Sequence, residues 1–336
     1  MTRWAQLATH YRPVVPFRQT TEPGVAAAAL AGGHLVVIPT ETVYGLGARA
    51  DDPHAVARVF ATKGRPVDHP LIAHVYNADA ARAWARHIPD YAENLMREFW
   101  PGPMTLVLSR STRAADFITG EQNTVAVRVP GSPVAREVLR ELGELTADSN
   151  IAIAAPSANR FGRVSPTTAQ HAQEELGELL SDDDVILDAG PCVVGVESTI
   201  IDCSQDAPVL LRPGKVTAEQ IEAVGGVPLA SGSSTRAPGT LASHYAPRAR
   251  VQITDPEALT ELGPDPTVGI IALASVPTPP GIVRLCAPHN NDEYAASLYR
   301  ALREADSLEL TCVVAVPPEG VGLAEAIRDR LQRAAH

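Results

Sequence analysis

The sequence predicts an α/β protein of two domains joined by a long linker, and three observations carry that prediction. At 336 residues the chain exceeds one typical domain and is ample for a large core. Short β-branched apolar runs alternate with helical periodicities along most of its length. From Pro213 to Tyr245 the alternation lapses into a stretch holding Gly225, Gly226, Pro228, Gly232, Pro238 and Gly239 around the run SGSST, which is the composition of a linker. These limits set a first domain at 1–213, a linker at 214–247 and a small α/β domain at 248–336.

Residues 1–23 carry three prolines and little periodicity, and read as an arm leading into the first domain. An Ala-rich helix from about Val25 to Ala31 stops at Gly32-Gly33 and feeds a buried strand over Leu35–Ile38. Thr40, Glu41, Thr42 and Tyr44 then put three hydroxyls and a carboxylate on a turn. There Gly45 and Gly47 allow positive φ and close approach of the backbone to a ligand. Asp52 as N-cap and Pro53 at the first position open a helix with Ala55, Val56, Val59 and Phe60 on one face. It ends at Lys63-Gly64-Arg65-Pro66. In a chain with only two lysines, this pair of cations reads either as an anion site or as a solvated helix end suited to the dipole. The glycine spacing matches neither the dinucleotide fingerprint nor the P-loop, so any nucleotide must be held another way.

Beyond Pro70 the pattern gives a strand over Leu71–Tyr76, helices over Ala78–Arg86 and Asp90–Phe99, and a strand over Thr105–Leu108. The alternating strand Thr124–Val129 closes at Pro130-Gly131 and carries Arg128, which needs either an internal carboxylate or an anionic ligand as partner. A strand from Ile151 ends at Pro156. Ser157, Asn159 and Ser165 follow on a loop leading through Pro166 and Thr167 into a helix near Thr168. Gly195–Asp202 (GVESTIID) and Leu210–Gly214 (LLRPG) again set polar groups beside buried strands, more interruptions than caps and turns require. In the small domain, strands over Val268–Ala274, Ile282–Cys286 and Cys312–Val316 alternate with helices over about Asp292–Ala305 and Leu323–Ala334, which predicts a parallel sheet.

The net charge of -11 opposes a surface made for coating nucleic acid, while leaving room for a local basic pocket that holds phosphates. Cys192, Cys203, Cys286 and Cys312 are far apart and show no zinc spacing, so they read as reduced core thiols. With no apolar leader region and no run of membrane-span length, a cytoplasmic protein is expected.

Seven motifs stand in order: PTETVYGLG (Pro39–Gly47), KGRPVDHPL (Lys63–Leu71), WPGPMTLVL (Trp100–Leu108), VAVRVP (Val125–Pro130), APSANRFGRVSPT (Ala155–Thr167), ESTIID (Glu197–Asp202) and LRPG (Leu211–Gly214). Together they resemble the YrdC-type threonylcarbamoyl-AMP synthase family (L-threonylcarbamoyladenylate synthase) in its long form, with an additional C-terminal domain. PGTLASHYAP in the linker and the final GLAEAIRDRLQRAA fit that form, so the resemblance covers nearly the whole chain. It implies a twisted, mixed, open sheet of the YrdC-like type followed by a smaller Rossmann-like α/β domain. It also implies an activity. L-threonine and bicarbonate give a carbamate, which attacks the α-phosphate of ATP to yield threonylcarbamoyl-AMP and pyrophosphate, the first step of threonylcarbamoyladenosine modification of tRNA. Mg2+ would arrive with ATP, no protein-bound cofactor is implied, and a separate tRNA threonylcarbamoyl transferase would consume the product. Direct contact with tRNA is left open, and no membrane is involved. Such nucleotidyl transfer needs placement and charge neutralisation rather than a protein nucleophile.

Carried over by position, the resemblance gives Lys63 and Arg65 the catalytic role on the ATP phosphates. His69, Thr124, Ser157, Asn159, Ser165, Arg212 and Tyr245 would complete the ATP site. Thr42, His74, Arg128, Ala155 and Ser198 would hold L-threonine, with Arg128 bidentate on its carboxylate. No metal ligand is assigned. His69 stands where many relatives have asparagine, and can still donate a hydrogen bond. The linker departs from the SPGMKYRHYAP form at Ala237, Leu241 and Ser243, so it is not expected to add basic charge. Its tip, Ser243-His244-Tyr245-Ala246-Pro247, reads as a lid that glycines such as Gly232 and Gly239 allow to move. Two rival readings are a double-stranded RNA or tRNA binding module, which the acidic total opposes, and a carbamoyl-transfer protein of hydrogenase maturation. The latter would bring zinc-binding CxxC pairs and an acylphosphatase module, which this chain lacks.

Overall fold

The computed structural model describes residues 18–239 and 244–336. Its larger sheet has 11 strands and is mixed, as expected of the first domain. The centre of that sheet brings together Tyr44–Arg49, Ile153–Ala154, Ile72–His74, Thr124–Arg128, Met104–Arg110 and Thr199–Asp202 as successive neighbours. Ile72–His74 and Thr124–Arg128 run parallel with His74 opposite Arg128, so both strands deliver a polar side chain at their carboxyl ends. Apolar residues beneath them, among them Leu46, Leu71, Val75, Leu106 and Val127, form the main core.

The helix Pro53–Lys63 is defined at both ends by its sequence. The Asp52 carboxylate accepts from the backbone N–H groups of His54 and Ala55, Pro53 takes the first turn, and Gly64 adopts φ 63° where the chain leaves. The exit turn fixes where Lys63 and Arg65 point.

The structure corrects the reading of the glycines before it. Gly45 and Gly47 are not in a turn with positive φ; they lie within the strand Tyr44–Arg49, antiparallel to Val36–Pro39. The polar turn is confined to the few residues between those strands. Glycine is needed for close packing: a Cβ at Gly47 would lie 2.7 Å from Ile153 Cγ2 and 2.8 Å from Ile38 Cδ1. The helix expected to run to Arg86 stops at Trp84, and Ala85–His87 pairs instead with Met104–Arg110. A helix not anticipated from the sequence, Pro133–Thr146, buries Ala135, Val138, Leu139 and Leu142 on the face that packs beside Ala26, Ala27 and Leu30. Two strands were likewise unforeseen: Arg18–Thr20 and Val185–Leu187 pair in parallel at one sheet edge. The rest of the expected N-terminal arm, residues 1–17, lies outside the described residues.

The small domain has the expected parallel sheet, in the order Arg250–Ile253, Cys312–Ala315, Val268–Ile271, Val283–Cys286. Its helices Asn291–Ser307 and Leu323–Ala334 share a single apolar cluster with Val43, Val164, Val194 and Val196 of the first domain. The seam is tight at Gly195, whose φ is +81° and where a Cβ would lie 2.4 Å from Ala296 Cα. Only glycine fits that contact.

The first half of the linker is bound down, although its composition reads as flexible. A capping box at Thr217 and Gln220 starts the helix Ala218–Gly225. The hydroxyls of Ser233 and Thr235 donate to Asp202 Oδ2 at 2.6 and 2.7 Å. A buried carboxylate demands donors, and the polar SGSST run supplies them. No helix among the described residues is long and apolar enough to cross a membrane.

Candidate active site

At the carboxyl ends of Ile72–His74 and Thr124–Arg128, a cavity of about 50 Å3, partly open to solvent, is walled by residues of the first domain and covered on one side by the linker. Thr40, Thr42 and Val43 come from the polar turn, Ala155 to Ser157 from a strand end, Glu197 and Ser198 from the two positions just before the strand Thr199–Asp202, and Pro238, Gly239, His244 and Tyr245 from the linker. Arg65, Arg128 and Arg212 all reach its wall and are all buried.

Each arginine is aimed by backbone or side-chain acceptors. Arg128 pairs with Glu41 Oε1 at 2.5 Å, donates to Thr42 Oγ1 at 2.9 Å and to the Gly102 carbonyl at 3.2 Å. Its internal partner is therefore a carboxylate, and the guanidinium still fronts the cavity. Burial would raise the Glu41 carboxyl, but the charge and hydrogen bond of Arg128 bring it below its ordinary value. Arg212 donates to the Ser198 carbonyl (3.0 Å), Ser198 Oγ (3.1 Å) and the Pro238 carbonyl (2.9 Å), which ties a strand end to the linker. Arg65 donates to the Pro70 carbonyl at 3.0 Å and lies over the Phe161 ring. Burial, assisted by the charge of Arg212, pushes Arg65 down to about 10, so it remains a cation at neutral pH.

Buried polar atoms without partners cluster near this cavity. Arg65 Nε, Asn159 Oδ1, His244 Nδ1 and the Tyr245 hydroxyl are all buried with no hydrogen-bond partner. Buried polar groups are ordinarily paired, and three of these four belong to residues of the cavity wall, Arg65, His244 and Tyr245, where a polar ligand would satisfy them. His74 also lines the wall; burial, then the nearby Arg128 charge, lowers it to about 4, so it stands there as a neutral imidazole.

The residues expected from the sequence divide into groups. Thr42, Arg65, His74, Arg128, Ala155, Ser157, Ser198, Arg212 and Tyr245 meet at the cavity wall. Lys63 is buried but does not line it: its ammonium lies beneath the loop and donates to the carbonyls of Ser157 and Asn159. Burial holds that amine well below its ordinary pKa. Neither cation is thus part of a solvated helix end. Asn159 and Ser165 are buried behind the wall, with Asn159 Nδ2 donating to the Arg160 and Arg163 carbonyls and Ser165 Oγ to Glu197 Oε1. His69 does not line the cavity; it is half-buried, edge-on to Phe161 at 5.4 Å. Thr124 lies opposite Ser109, at the far end of the strand that carries Arg128. At about 3.3 Å per residue it is roughly 13 Å away, and the fold does not bring it to the cavity.

Two carboxylates not assigned to the ATP or threonine site from the motifs are central here. Glu41 is the partner of Arg128, and Glu197 lines the cavity while receiving Tyr299 and Arg330 from the small domain at 2.8 and 2.9 Å. The sequence signal for Glu197 is an acid standing between valine and serine in an apolar stretch. Among the described residues no group of three or more His, Cys, Asp or Glu could hold a metal ion. Among the described residues the wall has one carboxylate, Glu197, and it is already engaged by three donors, so a metal held by the protein itself does not fit these residues.

Fold and site thus define a class: a two-domain α/β protein with a buried, arginine-lined cavity roofed by its interdomain linker. Family models refine this. One described as "Telomere recombination" matches residues 28–214, and one described as "Threonylcarbamoyl-AMP synthase, C-terminal domain" matches residues 216–336. The chain is 39% identical over 329 residues to the threonylcarbamoyl-AMP synthase of Pyrococcus abyssi, covering 92% of this chain and 93% of that protein. It is 39% identical over 337 residues to the Bacillus subtilis enzyme of the same name, covering 94% of each. The crystal structure of P. abyssi Sua5 complexed with L-threonine matches with a TM-score of 0.80 and 38% identity, over 95% of this chain and 97% of that one. The chain belongs to the threonylcarbamoyl-AMP synthase family, and the resemblance read from its motifs is borne out.

Proposed function

We infer that this protein is a nucleotidyltransferase that makes threonylcarbamoyl-AMP from L-threonine, bicarbonate and ATP, with release of pyrophosphate. The observation that carries the reading is the convergence of Arg65, Arg128 and Arg212 on one cavity, with orphaned polar atoms at its wall, in a chain of this family. The threonine amine and bicarbonate condense to a carbamate with loss of water. A carbamate oxygen then bonds to the α-phosphorus of ATP as the bond to pyrophosphate breaks. Arg65 and Arg212 are suited to the charge of the phosphates, and Arg128 with Thr42 to the threonine carboxylate. His74, neutral in its buried site, supplies a hydrogen bond rather than a charge. Lys63 acts by holding the Ser157–Asn159 loop against the cavity. Mg2+ would arrive with ATP and offset the charge of its phosphates.

The linker is the lid of this site. A cavity of about 50 Å3 holds only a few waters, whereas pockets for ligands of drug size occupy about 300–1,000 Å3. ATP therefore enters when Tyr245 and Gly239 move away, and their return excludes water from a carbamate and a mixed anhydride. In this reading residues 1–213 are catalytic, 214–247 carry the lid and 248–336 dock it. The product passes, in the cytoplasm, to a separate transferase acting on tRNA. No observation favours a double-stranded RNA or tRNA binding module.

The test is pyrophosphate release measured with each substrate withheld in turn. Release is expected only when ATP, L-threonine and bicarbonate are all present. Equal release without threonine would overturn the reading.

A further inference from the structure

We propose that Tyr299 and Arg330, two buried residues of the small domain, are positioning residues for the cavity. They are clamped on Glu197 and packed on Tyr245, the one carboxylate and the one tyrosine of the wall among the described residues. The inference rests on the nucleotide reading of the site given above.

Glu197 is gripped at both oxygens. Ser165 Oγ donates to Oε1 at 2.6 Å, while the Tyr299 hydroxyl (2.8 Å) and Arg330 Nε (2.9 Å) donate to Oε2. A carboxylate so held cannot rotate, and it stays ionised. Burial alone would raise it, yet the charges of Arg330 and Arg212 with the Ser165 and Tyr299 hydroxyls bring it to about 2. The same two donors seat the lid. The Tyr245 ring stacks on Tyr299 with centroids 5.6 Å apart, and the Arg330 guanidinium lies 5.4 Å from its centroid. Tyr245 is further held at φ 64°, a left-handed backbone that a tyrosine adopts only under constraint.

Packing alone does not account for this arrangement. Arg330 is fully buried and its Nη2 has no partner, a desolvation cost that an apolar pair of similar volume would avoid. What the charged pair adds is direction: it orients a carboxylate and a tyrosine toward the cavity from a domain that does not itself line it. The small domain thereby completes the site at a distance, through one residue of the first domain and one of the linker.

The test uses the full-length protein and two mild substitutions. Tyr299→Phe removes one hydroxyl without changing ring volume, and Glu197→Gln removes the charge while keeping the shape. Each is expected to weaken Mg-ATP binding about tenfold by calorimetry, the scale of one lost charge-assisted hydrogen bond. L-threonine binding without ATP should stay within about twofold, since Arg128, assigned above to its carboxylate, is held by Glu41, Thr42 and the Gly102 carbonyl rather than by Glu197. The double variant should be no weaker than Glu197→Gln alone, because Tyr299 acts through that carboxylate. Arg330→Lys, which keeps the charge and loses the planar head, should weaken ATP in the same selective way. Equal losses for ATP and threonine, a lowered Tm with unchanged ATP affinity, or effects that multiply in the double variant would each overturn the proposal. If the wild-type protein itself fails to bind ATP, the nucleotide reading falls and this inference with it. If the wild type binds ATP and the variants bind it equally well, only this inference falls.

Discussion

Gly239→Ala is the sharpest probe of the lid. Gly239 has φ +75°, and a Cβ there would lie 2.3 Å from the Tyr245 hydroxyl oxygen and 2.9 Å from Arg212 Nη1. The hydroxyl cannot swing aside, because its ring is held by Tyr299 on one side and Arg330 on another. A non-glycine residue in left-handed backbone costs roughly 1–2 kcal/mol. Forcing a methyl group into a packed site costs about 1–3 kcal/mol more. Together they disfavour the closed arrangement by roughly 2–5 kcal/mol. At about 1.4 kcal/mol per factor of ten, ATP affinity should fall at least about 30-fold. The matched control is Gly232→Ala, at φ +85° with nothing within 4 Å of the added Cβ. It carries the backbone cost without the clash, so it should lower stability slightly and leave ATP affinity intact. Calorimetric titration with Mg-ATP, alongside pyrophosphate release, reads both variants. The reasoning fails if Gly239→Ala binds ATP like the wild type, or if Gly232→Ala shows the same loss.

Other outcomes follow from the same geometry. Arg65→Ala deletes a buried cation on the cavity wall, and losing a charge-assisted contact in a desolvated site costs about 2–5 kcal/mol. Pyrophosphate release should therefore drop at least about 30-fold while the circular dichroism spectrum is unchanged, and wild-type turnover would show that this charge serves no phosphate. Acid should destabilise the fold early. Burial holds His74 at about 4, His171 at about 4 and His244 at about 3, so the unfolded chain, titrating near 6.5, takes up protons first. Stability falls as pH drops from about 6.5 toward 4, and His74→Gln should flatten the slope of Tm against pH; a flat wild-type profile would contradict the buried, neutral state. Glu197 contributes in the opposite window: with its carboxyl at about 2, its stabilisation persists through this range and fades only below the unfolded carboxylate's value, near 4.3.

Much of the first domain was legible because its signals are local. Asp52, Pro53 and Gly64 specify the ends of one helix through their own backbone chemistry, and the strands around Arg128 and the small domain's alternation declare themselves by apolar pattern. Helix Pro133–Thr146 had the spacing of a buried face at Ala135, Val138, Leu139 and Leu142, so its signal was present in the sequence. Gly45 and Gly47 misled for a different reason. A glycine is required equally by positive φ and by close packing, and only the neighbouring Ile38, Ile153 and Ala155 decide between them.

The sequence alone determined the family, the α/β class, the parallel sheet of the small domain and most of the residue types at the cavity. These depend on order along the chain and on periodicity, which the sequence contains in full. The tertiary structure decided which polar groups face each other. It tied the SGSST run to Asp202, gave Arg128 its partner in Glu41, turned Lys63 under a loop and set Thr124 away from the cavity. It also joined Glu197 to Tyr299 and Arg330, residues 102 and 133 positions away in sequence. No local pattern encodes such a pairing, because the low-dielectric interior that makes a buried charge require a partner exists only once the two domains have packed.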